Sequence, residues 1–164
     1  MVRLAEAARV HGLPTVIGAE FTGVAPTGHH AGRVVVLADG PEGYRGLARA
    51  VSYGQLAGSK GAPRHELATI AEQMNGRGWV LTGDATGVVP AALTRDGPAA
   101  AAAEVNALID IAGRDRVLIE LWDHGHPDDH HRNDALVEVA RRCRVHCVMA
   151  NAVTHATPAD ADMS

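Results

Sequence analysis

Aromatic residues are scarce: one Phe, two Tyr and two Trp make up 3% of a 164-residue chain. The hydrophobic share is nonetheless 46%, so the core has to be assembled from small aliphatic side chains, chiefly Ala and Val. Lysine is nearly missing, Lys60 standing beside fourteen arginines. The net charge of −4 supplies no global basic field and hence no direct nucleic-acid signal. Cysteine occurs twice, at Cys143 and Cys147. Two thiols cannot build a zinc knuckle by themselves, and buried free thiols are the expectation. The opening Met1-Val2-Arg3-Leu4-Ala5-Glu6 lacks the apolar core of a signal peptide, and no stretch reaches the length of a membrane span. A cytoplasmic protein with no membrane partner is expected. Also missing are a phosphate-binding P-loop, a dinucleotide fingerprint and a G-x-S-x-G nucleophile elbow.

What is present is an alternation of helix and strand in a chain of single-domain length. Leu4, Ala5 and Ala8, stopped by Gly12, predict a short opening helix. Residues 15–20 predict a buried strand ending at Glu20, and the Gly- and Pro-bearing residues 22–32 a loop. Val34–Ala38 predicts a second strand. A helix follows from Pro41 to about Leu56, and a second short one carries Leu67, Ile70, Ala71 and Met74. Val80 and Leu81 mark a third strand. Pro98 opens the clearest helix, in which Val105, Leu108, Ile109 and Ala112 share one face and Gly113 ends the pattern. Val117–Leu121 predicts a fourth strand, Asn133–Cys143 a helix, and Val145–Ala150 a fifth strand. Such alternation predicts an α/β fold with a mostly parallel sheet of about five strands and helices outside. Five strands cannot close an eight-stranded barrel, and a chain that begins on a helix reads as a piece of something larger.

Polar side chains gather where these strands end. Glu20, Asp84, His124 and His155 each follow an apolar run. In α/β proteins the site is built at the carboxyl ends of strands, so these four are candidate metal ligands.

The blocks LAEAARVHGLPTVIGAEF, RVVVLADGPEGYRGLARAVSYGQLAGSKGAPRHEL, WVLTGDATGVVPAAL, LIELWDHGHPDDHHRNDAL and NAVTHATPAD together resemble the PHP (polymerase and histidinol phosphatase) domain. The likeness is to the version at the amino end of bacterial error-prone DNA polymerase III alpha subunits, and it covers nearly the whole chain. It implies an incomplete distorted β/α barrel over residues 1–157, truncated at its amino end, followed by a polar tail over 158–164. It further implies a trinuclear metal site at the strand carboxyl ends. Glu20 falls on the family's Glu. Arg33 stands where the family has His, Asp84 where it has Cys, and Ala152 and Thr154 on the closing Asp-x-His pair, with His155 one place late. The opening His-x-His strand is missing.

An arginine at position 33 sets a fixed positive charge where a cation should lie, and it could pair with Glu20 or Asp84. The reading is therefore of a degenerate site: Glu20 as the ion-pair partner of Arg33, Asp84 as a turn residue, and DHGHPDDHHRN as an exposed connecting loop that binds metal adventitiously at most. No cofactor is expected, with manganese or zinc as the ions if the site works. The resemblance implies a portion of a DNA polymerase, a nucleotidyltransferase that serves replication and repair. In some relatives this domain also has metal-dependent proofreading or phosphatase activity, but the lost ligands make a structural role without hydrolysis the expectation here. The alternative is a stand-alone phosphoesterase using Glu20, Asp84, His124 and His155. The expected partner is the remainder of a polymerase chain, or a second copy meeting the open sheet edge.

Overall fold

Five strands form one sheet in the order β1-β2-β3-β4-β5. The computed structural model describes residues 2–151 and 153. Among them the chain runs α1 (Val2–Val10), β1 (Gly18–Val24), β2 (Gly32–Ala38), α2 (Gly40–Ala57), α3 (Leu67–Met74), β3 (Gly78–Leu81), α4 (Val88–Asp96), α5 (Pro98–Ala112), a turn of 3-10 helix (Arg114–Arg116), β4 (Val117–Trp122), α6 (Pro127–Cys143) and β5 (His146–Ala150). His155 and the tail 158–164 lie outside the described residues.

The sheet corrects the expectation of mostly parallel pairing. β1–β2 and β2–β3 are antiparallel, and only β3–β4 and β4–β5 are parallel. Connection length explains the first. Residues 25–31 are too few for a crossover, so β1 and β2 form a hairpin. The second follows from the helical hairpin of α2 and α3, which brings the chain back to the end of the sheet where β2 finished. There the Asp39 N–H donates to the Arg77 carbonyl at 3.0 Å. The consequence matters for the site. β1, β3, β4 and β5 point one way and β2 the other, so the carboxyl end of the sheet also receives the start of β2, where Arg33 stands.

Side chains alternate across the strands. Phe21, Val34, Val36, Val80, Val117 and Ile119 face Leu47, Ile70, Val105, Leu108 and Leu136 of the helices, all 7% exposed or less. The core is aliphatic, with Phe21 its one Phe. Truncating Leu108, fully buried on α5, would cost about 2–5 kcal/mol through lost contacts and the cavity left behind. The opposite face carries Glu20, Arg33, Val35, Leu118, Glu120 and Val148, which share register rows.

Several boundaries differ from expectation. β1 starts at Gly18 and runs to Val24, so Glu20 is its third residue rather than its last. The flanking glycines and small residues hid that extension. α4 was not anticipated, because Pro90 in its first turn and its short length gave no clear periodicity. α6 begins at Pro127, six residues before the predicted start, which corrects the loop reading of the histidine-rich segment: His130 and His131 are helical. Of the two thiols, Cys143 is buried but Cys147 is exposed, because β5 is an outer strand.

Candidate functional site

Arg33 sits on β2 opposite Thr22 and diagonal to Glu20, whose own partner is Val35. Diagonal neighbours across a hairpin are within reach of long side chains. The Arg33 guanidinium donates from Nη1 to both carboxylate oxygens of Glu20 at 3.3 Å. The same nitrogen lies 4.0 Å from Asp84 Oδ2. Glu20 and Asp84 thus meet through an arginine. With the side chains of Arg33 and Glu20 38% and 48% exposed, water screens the pair, which is worth about 0–1 kcal/mol. Its importance is occupancy of the place, not stability.

Asp84 follows β3 in a tight turn. Its Oδ1 accepts from the Thr86 N–H at 2.9 Å and the Thr86 hydroxyl at 2.7 Å, and its carbonyl accepts from the Gly87 N–H at 2.8 Å. This is an Asx turn, one of the commonest uses of Asp between small residues. Partial burial pushes the Asp84 carboxyl up, but the Thr86 hydrogen bonds and the Arg33 charge outweigh it and hold the group below its ordinary value. Gly87 is required for the turn to close, since a Cβ there would lie 2.0 Å from the Thr82 carbonyl oxygen.

Beneath this layer lies Glu120, 4% exposed in the middle of β4. Its carboxylate accepts from the Gly83 N–H at 3.1 Å, and its own N–H donates to the Thr82 hydroxyl at 3.0 Å. Burial raises the Glu120 carboxyl, and the negative charges of Asp84 and Glu20 push the same way. Sequence reasoning passed over this residue, although one acid inside the apolar run Val117–Trp122 was a visible signal.

His124, just beyond β4, uses its backbone and not its ring in this network. Its N–H donates to Asp129 Oδ2 at 2.8 Å, as does the His126 N–H at 3.1 Å, while its ring lies 5.2 Å from that of Trp122. Asp129, 3% exposed, also pairs with Arg132. The His124 N–H, then the Arg132 guanidinium and the His126 N–H, hold its carboxyl down to about 2 against the opposing effect of burial. The carboxylate at the third position of α6 closes the turn before the helix, as a capping acid does. Asp84, Trp122, His124, Asp129 and Arg132 line one groove of about 190 Å³.

A divalent cation asks for several oxygen or nitrogen donors converging with free lone pairs. Here both Glu20 oxygens face a guanidinium, one Asp84 oxygen is held by Thr86, and the His124 ring lies beside indole. Among the described residues no three His, Cys, Asp or Glu side chains are grouped to hold a metal ion. His155, the fourth candidate, lies outside those residues. The described side chains fit an internal arginine and do not fit a metal ion.

Residues 1–124 match the PHP domain, and the chain belongs to that family. It is 43% identical over 173 residues to the error-prone DNA polymerase of Cutibacterium acnes, covering 99% of this chain. It is 42% identical over 166 residues to the error-prone DNA polymerases of Mycobacterium tuberculosis and Mycobacterium bovis, covering 96%. In each case the chain spans only 15% of the relative's length and corresponds to its PHP-domain portion. Among the described residues no helix is long and apolar enough to cross a membrane.

Proposed function

We propose that the chain acts as the PHP portion of an error-prone DNA polymerase in the cytoplasm. In that setting it serves as a structural element in an enzyme of replication and translesion repair. The incomplete β/α barrel of the family is the architecture that suits the mixed sheet. The polymerase remainder is the favoured partner, with a second copy at an open sheet edge as the alternative. The observation that carries the structural reading is Arg33: one guanidinium takes the place between Glu20 and Asp84 where ion-dependent chemistry would need a metal. Among the described residues no three His, Cys, Asp or Glu side chains are grouped there to hold an ion that would activate water for phosphoryl transfer.

The test is direct. The purified chain, incubated with a generic phosphate monoester and added manganese, should show no turnover above buffer, and elemental analysis should find no stoichiometric manganese or zinc. Hydrolysis that disappears in Glu20→Ala would establish the phosphoesterase reading in its place.

A further inference from the structure

The amino end of the sheet carries a second charged surface. The parallel register of β4 and β5 sets Leu118 beside His146, so the residues leading into the two strands run side by side. Those residues are Arg114 and Arg116 before β4, and Arg141, Arg142 and Arg144 before β5. The arrangement is fixed, because the Arg114 guanidinium donates to the Cys143 carbonyl. The Cys143 thiol is raised by burial, and the charges of both Arg142 and Arg114 act on it in the opposite direction, which places the two cations around one point. Arg144 is held by a left-handed backbone at φ 57° as the residue that ends α6.

The counter-charges are unevenly shared. Towards β2 and β3 the arginines are neutralised. Arg116 pairs with Asp39 at 3.3 Å and lies 4.8 Å from the centre of the Trp79 ring, and Arg77 reaches Asp39 at 3.8 Å. Towards β5, Glu138 takes Arg141 at 3.5 Å, while Arg142 and Arg144 have no ion-pair partner among the described residues. Both are exposed, as are Arg114 and His146. Asp115, exposed between Arg114 and Arg116, is the acid set among them. The arginines still outnumber it, they repel one another, and a polyanion relieves that repulsion. Arginine's planar fork suits phosphate oxygens better than an ammonium does.

We propose that this rim, formed by Arg114, Arg142, Arg144 and His146, is a contact surface for the phosphate backbone of duplex DNA. The choice of nucleic acid over an acidic protein rests on the polymerase reading above. The net charge of −4 is a sum over the whole chain and conceals a local surplus of arginine at this rim, where Asp39, Asp115 and Glu138 are fewer than Arg114, Arg116, Arg141, Arg142 and Arg144.

The experiment is fluorescence anisotropy of a short labelled DNA duplex titrated with the chain at rising salt. Binding at low salt that weakens linearly with the logarithm of salt concentration is expected, since each phosphate neutralised releases bound counterions. The double variant Arg142→Gln with Arg144→Asn should weaken binding about tenfold and flatten the salt slope by about two. Asn tolerates the left-handed backbone at position 144. Should circular dichroism show that the double variant is unfolded, Arg142→Gln alone is expected to flatten the slope by about one. The control, Arg64→Gln, alters a side chain 74% exposed and paired with Glu66, and should leave binding unchanged. Three results would overturn the proposal: no salt-dependent binding by the unmodified chain, a control that weakens binding as much as the double variant, or polyglutamate competing as well as DNA. Each of these leaves the structural reading intact, whereas manganese-dependent hydrolysis would end that reading and leave the rim untouched.

Discussion

The two ends of one sheet handle charge in opposite ways. At the carboxyl end four carboxylates, Glu20, Asp84, Glu120 and Asp129, meet Arg33, Arg132 and a set of backbone N–H groups. Each acid has a partner, and two of the four are buried. At the amino end six arginines outnumber their acids, and the surplus faces water beside β5. A strand-end cluster that satisfies its own charges stores structure. One that leaves charge unsatisfied is poised for a partner. The customary site of an α/β fold is here the self-satisfied end.

The sharpest way to test that contrast is through the glycines at each end. Gly87→Ala would drive a Cβ to 2.0 Å from the Thr82 carbonyl and 2.8 Å from Gly83 Cα, with backbone on both sides and no flexible side chain to yield. A loss of about 3 kcal/mol is expected by denaturant unfolding, at the upper end of the cost of overpacking. Gly113→Ala at the amino end meets nothing within 4 Å but must hold φ at +89°, which costs about 1–2 kcal/mol. Equal losses in the two variants would break the comparison, because the carboxyl end would then be no more tightly built than the other.

Acid should separate the two ends as well. The Asp129 carboxyl is held at about 2 in the fold, against about 3.9 in an unfolded chain. A folded value below the unfolded one gives stability that is present above about pH 4 and is lost as pH falls towards 2. Asp84 is lowered and acts with the same sign. Glu120 is raised by burial and acts with the opposite sign, since its protonation relieves the charge held in the interior. Thermal melts over this acid range should show the native chain losing stability and Asp129→Asn losing much less, starting from a lower melting temperature at neutral pH. Because Glu120 acts in the opposite sense in both proteins, the difference between them is the readout: a native profile that falls no more steeply than that of Asp129→Asn would show that the backbone donors at His124 and His126 are worth nothing to the fold.

How much of this was legible in the sequence follows from the range over which each signal acts. The α5 stripe, the strand cores and the glycine stops are local, and they place α5, α2 and β4 within a few residues. The Arg33–Glu20 pair was legible through a substitution seen against a family pattern. Strand direction was not, because the loop 25–31 shows its hairpin role only once β1 is known to run to Val24. The Asp84 turn was readable from TGDATG, yet Glu120 was passed over as one acid in an apolar run. Nor could the arginine rim be read, since Arg114 and Arg142 become neighbours only through the parallel register of β4 and β5.

Arg33→Met should have the smallest effect on stability, and it tests the carboxyl end most specifically. The pair it removes is nearly half exposed on the Glu20 side, so the loss should stay under about 1 kcal/mol, close to the error of a denaturant midpoint. The informative readout is the shift in melting temperature on adding manganese. If the guanidinium alone kept a competent set of donors from binding an ion, its removal would free Glu20 and Asp84 and the ion would stabilise the variant by mass action. The geometry argues otherwise. Thr86 still holds one Asp84 oxygen, Glu120 stays buried with its oxygen on the Gly83 N–H, and the His124 ring still lies against Trp122. Two partly engaged carboxylates are a poor cage for an ion that needs many oxygens. No manganese-dependent rise is therefore expected in either protein. A rise in Arg33→Met that is missing from the native chain would mean that arginine is the only barrier between this fold and a metal site, and that the self-satisfied end is one substitution away from chemistry.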